Sequence, residues 1–510
     1  MAWWEVGSVS EWEMVEAKIL KIGIVINAAQ KGFLIGLGEE LAKDHIVFYI
    51  ARDKVVKRLL KKSLKRFNVP ENSWEPGSES TFDYCYGVDG EHKARPVITV
   101  KNFTVPEKMK VVNECVKREK QYGETFSMIC SCDRALGKGY ILNADNHPDI
   151  KKAWWSKAKK YTEVLGQFLF YEKIVDLYRP DLIIGLSHEK VFALVCRHYN
   201  IPYYSLSGSR FESKYYWVKD EFETNDDLTN TLKEGDITDV SNVAIPVNTH
   251  AEFISNIDYG YRTAMMQAIK QLLRQAQQII TGKYKRDSYV FGGWTKWIMD
   301  RPKMYRYFLR HGKKIGSLKG RIVLFPLHWE PEASLLMLSP ELNNSMELIT
   351  WVSKSLPAGC WLVIKEHPDG FGIRPKRYYD TLRKMPNVVL AYPEGDWLKT
   401  CDMVVTITGT MGLEAVYARK PVLSYGKHQI INCLPTVEYA DSFDTTRKAI
   451  PKLLNAHKMT ESKAILHVAL KKVSFNLPDF KIYQHEEKPR LSLVKTALEA
   501  LWKTWKESCN

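Results

Sequence analysis

Short apolar runs alternate with amphipathic stretches along this chain, at the spacing of parallel α/β units. The run KIGIVI at 21–26 leads into a Gly-containing loop and an apolar segment, and a second run follows at Ile46–Ile50, which reads as strand, helix, strand. The same order returns at Pro180–Gly185 (PDLIIG), with an apolar helix over Val191–Tyr199 and a strand at Pro202–Leu206. From Arg321 onward the pattern predicts strands at Ile322–Phe325, Trp361–Ile364, Val388–Leu390, Met403–Ile407 and Val422–Tyr425. The expected fold class is therefore α/β, built on two doubly wound domains.

The intervening segments are less regular, and residues 70–150 give no assignable elements. Cys130 and Cys132 are expected as alternating strand residues. Asp220–Asp239 reads as a solvated acidic loop in which Asp226 and Asp227 are simply exposed. Val55–Phe67 reads as a helix with Val56, Leu60 and Leu64 facing a core and Lys57, Lys61, Lys62 and Lys65 around them. Met265, Ile269, Leu272, Ala276 and Ile279 predict a long amphipathic helix ending near Gly282, expected to lie between domains. The last helix carries Leu491, Val494, Leu498, Leu501 and Trp505 as a stripe that must be buried. These features divide the chain into a domain at 18–250, a connector at 251–320, a second domain at 321–445 and C-terminal helices at 446–510.

Composition supports large cores: 510 residues with 45% apolar and 26% charged residues exclude a small stapled fold and global disorder. The net charge of +15 favours anionic partners. It is concentrated, because residues 281–320 hold eleven Lys or Arg against Asp287 and Asp300. Trp294, Trp297, Tyr305, Tyr307 and Phe308 are interleaved there, which suits either a membrane headgroup surface or a connector whose rings pack on the protein. Nine scattered cysteines, never spaced C-x-x-C, read as free thiols in a reducing compartment. With no signal-type segment and no apolar run of spanning length, the expectation is a cytoplasmic protein able to touch a membrane's inner face.

In open parallel sheets ligands bind beyond the carboxyl ends of the strands. Three polar clusters sit there: FPLHWEPE (Phe325–Glu332) with His328 expected at the nucleotide and Glu330 at the sugar or acceptor, IKEHP (Ile364–Pro368) with Lys365 and His367, and TITGTMGLEA (Thr406–Ala415). In the third, Gly409 allows close approach, Thr408 and Thr410 add hydroxyls, and a helix beginning near Met411 would aim unpaired N–H groups at an anion. Glu414 is a candidate for ribose hydroxyls, or else an ordinary first-turn acid. GFLIGLG at 32–38 is neither a P-loop nor G-x-G-x-x-G, which removes support for ATP hydrolysis and NAD chemistry.

The succession FPLHWEPEAS, LPAGCWLVIKEHP, MPNVVLAYP and VVTITGTMGLEAVYARKPVLSYG resembles the bacterial capsule and surface polysaccharide biosynthesis glycosyltransferases, a group that includes Kdo transferases. The match spans about residues 321–427, with a looser likeness at SCDRALGKGY, RPDLIIG and IPYYSLSGSR. The resemblance implies a GT-B fold, two Rossmann-like domains facing a central cleft with the C-terminal helices crossing back to the first, and metal-independent transfer with no cofactor beyond the nucleotide-sugar substrate. It implies nucleotide phosphate contacts from His367, Thr408 and Thr410, with Lys365 assisting. Asp133 is the first candidate for a carboxylate acting on the acceptor or the sugar, or else pairs structurally with Arg134. Glu189 is the second candidate, with His188 beside it, and Arg210 suits an acid sugar's carboxylate. The expected donor is CMP-Kdo or a similar sugar, and the acceptor a growing glycan. A nucleotide-sugar epimerase of the same architecture and a non-catalytic basic protein binding membrane or nucleic acid are the alternatives, although no nucleic-acid-reading motif is present.

Overall fold

The computed structural model describes residues 19–26, 31–51, 84–88, 94–96, 108–134, 136–137, 140, 157–185, 189–209, 214–234, 259–281, 293–455, 461–477 and 490–509. The helix expected over Val55–Phe67 lies outside them, as do His188 and Arg210.

The first sheet is built on strands β1 (Lys21–Val25), β2 (Ile46–Ala51), β5 (Leu182–Gly185) and β6 (Tyr203–Gly208), paired parallel in the order β6-β5-β1-β2. Antiparallel strands extend both edges: β3 (Tyr84–Val88) and β4 (Ala94–Pro96) beyond β2, β7 (Lys214–Lys219) and β14 (Phe475–Asn476) beyond β6. Ile22, Ile24, Ile183 and Ile184 are fully buried, because a parallel sheet has core on both faces. One face packs on α1 (Lys31–Leu41), the other on α2 (Lys108–Tyr122), α3 (Phe126–Ser131), α4 (Lys157–Tyr178) and α5 (Lys190–His198).

Two sequence expectations fail here for local reasons. Cys130 lies in α3 and Cys132 caps its C-terminus, because Thr125 Oγ1 accepts the Met128 N–H at 3.1 Å and Phe126, Ile129 and Cys130 share the buried helix face. The supposed acidic loop contains α6 (Asp226–Glu234): Asn225 Oδ1 accepts the Leu228 N–H at 2.8 Å, Asp226 and Asp227 complement the helix start, and Leu228 and Leu232 are buried one turn apart.

Next comes a helix pair, α7 (Tyr261–Ile280) lying against α8 (Gly293–His311). In α8 the rings of Trp297, Tyr307 and Phe308 are buried, Tyr307 and Phe308 within the second core, so these aromatics pack on the protein and not at a headgroup surface. The side chain of Trp294 lies outside the described residues. In α7 it is Ala264, Ala268 and Gln275 that are buried, while Met265, Met266, Ile269, Leu273, Ile279 and Ile280 are exposed. Of the stripe expected to lie between domains, Met265, Ile269 and Ile279 face outward while Leu272 and Ala276 are half-buried.

The second sheet is parallel throughout, in the order β10-β9-β8-β11-β12-β13. Its strands are β8 (Arg321–Pro326), β9 (Cys360–Lys365), β10 (Val388–Leu390), β11 (Met403–Thr406), β12 (Val422–Ser424) and β13 (Val437–Tyr439). Five match the sequence reading; β13 is short and half-polar, and its pattern gave no signal. Numbered from β8, this is the 3-2-1-4-5-6 order of a Rossmann sheet, whose direction of winding reverses between β8 and β11. Helices α9 (Ser345–Ser355), α10 (Thr410–Tyr417), α11 (Phe443–Asn455) and α12 (Glu461–Val473) flank it.

The two sheets share buried side chains. Tyr216, Val218, Leu228 and Leu232 pack in one cluster with Val416, Ile465, Leu466 and Leu470. Phe222 stacks on His428, centroids 4.0 Å apart, beside an Arg197–Glu221 ion pair at 2.5 Å. The final helix, α13 (Leu491–Cys509), returns to the first sheet, where buried Trp217 donates its Nε1–H to Ala497 O at 2.8 Å. Trp217→Ala removes both the ring and this tie, and is expected to cost about 3–5 kcal/mol in urea unfolding, whereas Trp217→Phe loses much less.

Candidate functional site

The crevice beyond β8 and β11 is where a Rossmann sheet receives its ligand, and three loops meet there. The loop after β8 carries His328, whose ring is 4% exposed. Its Nε2 accepts the N–H groups of Ile407 and Thr408 at 3.3 and 3.4 Å, so it holds up the loop after β11 from below. Gly409 is required above it, since a Cβ there would lie 2.8 Å from His328 Cε1. An imidazole accepting two backbone bonds in a buried place must be neutral. Burial, with Arg374 and His367 nearby, lowers its pKa from 6.5 to about 3. His328, expected to bind nucleotide, therefore serves beneath the site.

Above it, Thr406 Oγ1 accepts the Gly409 N–H at 3.2 Å and Gly409 precedes α10 as its N-cap. The first-turn N–H groups of Thr410 and Met411 have no intrahelical acceptor and point outward from the helix start. Thr408 Oγ1 is buried and has no hydrogen-bond partner among the described residues. Glu414 is half-buried one turn further along.

The loop after β9 carries Lys365, Glu366 and His367. Lys365 accepts the Leu327 N–H through its carbonyl at 2.8 Å, which binds this loop to the one after β8. His367 is half-buried and its Nδ1 accepts the Asp369 N–H at 3.1 Å, leaving the proton of a neutral ring on Nε2.

A group that sequence reasoning missed locks the loops together. Arg374 is fully buried; its Nη1 donates to Glu366 Oε1 at 2.8 Å, its Nη2 donates to His328 O at 2.6 Å, and Nη2 lies 3.2 Å from Glu330 Oε1. Glu366 also accepts the His367 N–H at 2.7 Å and the Tyr379 hydroxyl. Glu330, expected to meet sugar or acceptor, is thus a buried counter-ion of Arg374. Two buried carboxyls share one guanidinium, and burial raises the pKa of both despite that partner. In sequence, Arg374 stands between Ile373 and Pro375 with nothing to mark it as internal.

From the first sheet, Asp133 and Arg134 form a turn in which Asp133 Oδ1 accepts the Leu136 N–H at 2.8 Å. Arg134 lies over the Trp329 ring, 5.4 Å from its centroid, so this turn meets the loop after β8. Glu189 stands at the N-terminus of α5, after β5, where the first sheet reverses its winding. Along α8 lies an open cavity of about 630 Å³, whose wall includes Lys296, Lys303, Arg306, Arg310, Arg374 and Lys376. Among the described residues no group of three or more His, Cys, Asp or Glu is placed to hold a metal ion.

A family model described as capsule polysaccharide biosynthesis protein matches residues 245–457. The resemblance to these proteins holds over this segment. It contains α7, α8 and all three strand-end loops. No curated protein matches the chain. Among solved structures, the β-Kdo 2,7 transferase KpsC of Thermosulfurimonas dismutans is 14% identical, covering 69% of this chain and 97% of its own, with a TM-score of 0.31. The UDP-GlcNAc 2-epimerase of Methanocaldococcus jannaschii is 11% identical, covering 88% of this chain and 99% of its own, with a TM-score of 0.28.

Two outcomes test this geometry. Arg374→Met strands two carboxyls and is expected to lose about 3–5 kcal/mol of stability, much of it recovered when Glu330→Gln and Glu366→Gln are added. For His328 the folded pKa lies below the unfolded one, so its contribution is complete above pH ~6.5 and falls by about 1.4 kcal/mol per pH unit toward pH 3. His328→Gln should remove that component from the pH dependence of urea unfolding.

Proposed function

We propose that this chain is a glycosyltransferase of capsule or surface glycan assembly, moving a sugar from a nucleotide donor held by the 321–445 domain to a glycan acceptor on the 18–250 side. The carrying observation is Thr408 Oγ1: a buried hydroxyl with no partner among the described residues, at the start of α10, beside a loop held by His328 at the switch point of the sheet. Such a group calls for an acceptor atom from outside the chain, and a nucleotide phosphate supplies one.

Breaking a sugar–phosphate bond places negative charge on the leaving phosphate and oxocarbenium character on the sugar. Donors preorganised toward that phosphate act most strongly in the transition state. His367 Nε2–H, the hydroxyls of Thr408 and Thr410, and the first-turn N–H groups of α10 are those donors, with Lys365 adding positive potential. Glu414 takes the ribose hydroxyls. Asp133, fixed by its bond to Leu136 and brought to the second sheet by the Arg134–Trp329 contact, is the carboxylate that deprotonates the acceptor or steadies the cationic sugar. Glu189 is the next candidate. The donor we favour is a CMP-linked acid sugar such as Kdo; no step requires a metal.

Thermal-shift titration with CMP, UDP, GDP and CDP should show stabilisation by one base class. His367→Ala is expected to lower the rate of sugar transfer by about 10²–10³-fold. Unchanged transfer would remove His367 from the site, and isomerisation of donor alone without nucleotide release would show an epimerase instead.

A further inference from the structure

We infer that the outer face of α7, with the cationic arc of α8 beside it, is a docking surface for an anionic phospholipid bilayer. The first observation is apolar exposure. Met265, Met266, Ile269, Leu273, Ile279 and Ile280 are between 50% and 85% exposed, and no other described element displays such a group. Their three- and four-residue spacing gathers Met265, Met266, Ile269 and Leu273 on one side of the helix, away from buried Ala264, Ala268 and Gln275. A contiguous apolar face of this kind marks an interaction site.

Charge identifies the occupant. The twenty residues of α7 include Arg262, Lys270 and Arg274 and no Asp or Glu. Arg262 falls within the apolar arc and Lys270 borders it, both exposed, a placement from which long stems can lie along apolar neighbours with the charged heads outward. On the neighbouring helix, Lys296, Lys303, Arg306 and Arg310 recur along one side of α8 and are exposed. Asp300, the single acid of α8, is already held by Lys303 at 2.9 Å. Apolar side chains bordered by cations match the acyl boundary and the phosphate layer of an anionic membrane.

Other occupants fit less well. A twofold contact between two copies through α7 would set Arg262, Lys270 and Arg274 against their own equivalents with no carboxylate on that helix to receive them. A nucleic acid would satisfy the cations and leave the apolar side chains in water. No helix among the described residues is long and apolar enough to cross a membrane, so the contact is peripheral. The surface is separate from the strand-end loops, and its role does not depend on which sugar is moved.

Co-sedimentation of the full chain with vesicles of phosphatidylcholine alone, and of phosphatidylcholine mixed with phosphatidylglycerol, tests this. Binding is expected to the anionic vesicles, to fall with added salt, and to weaken by at least about tenfold in an Ile269→Ser, Leu273→Ser variant whose melting temperature is unchanged. Lys303→Glu with Arg310→Glu should reduce anionic binding likewise. Absence of wild-type binding to anionic vesicles, equal binding by the Ser variant, or a dimer in solution that the Ser variant abolishes would each overturn the assignment. A nucleotide thermal shift that survives in the Ser variant keeps this test apart from that of the transfer reaction.

Discussion

One buried guanidinium organises the ligand-facing end of the second sheet. Arg374 reaches the carbonyl of His328 with one nitrogen and the carboxylate of Glu366 with another, so the loops after β8 and β9 cannot shift independently. Arginine suits this place because its planar fork meets separate acceptors in fixed directions while remaining charged. Such an ion cluster is poor evidence of net stability, since desolvation offsets the attraction between the charges. Its value lies in geometry: the elements it joins are the ones that must present donors to a common point.

That point is set by topology before any side chain is considered. In the order β10-β9-β8-β11-β12-β13 the crevice opens between β8 and β11, and His328 spans those two strand ends from below. A charged imidazole could not accept the N–H bonds of Ile407 and Thr408. The low pKa of His328 is therefore a condition for holding the Gly409 turn in place, with the exposed start of α10 as its product. Neutral His328 underneath and donor groups above divide the work of two histidines: one supports the loop, and the other, His367, remains half-buried where it can meet a ligand.

The parallel sheets were legible because buried parallel strands are continuous apolar runs, and the strand-end clusters were legible because the runs stop abruptly at polar residues. Elements fixed by a single cap were not. Thr125 and Asn225 each convert a polar-looking segment into a helix through one hydrogen bond, and neither carries a pattern longer than a turn. The loops singled out in the sequence do meet beyond β8, β9 and β11, but their polar residues are not equivalent. His328, Glu330 and His367 look alike as polar groups after strands, yet two are internal beside Arg374, 46 residues from His328 in sequence and adjacent in space.

The same distinction between composition and placement governs the helix pair. By composition, α8 suited either a headgroup surface or rings packed on the protein, and amphipathic α7 read as an element between domains. Packing selects the second reading for α8: its rings fill space against the second sheet, since large planar groups bury the most area there, while the small side chains of Ala264 and Ala268 let α7 lie against the protein. Apolar side chains of α7 are then left exposed, whereas the cations of α8, excluded from the core by their charge, stand beside them. Both helices thus reach solvent with the parts that a folded interior rejects or cannot fit, and their juxtaposition follows from how the pair packs, without any residue having to be placed for solvent contact alone.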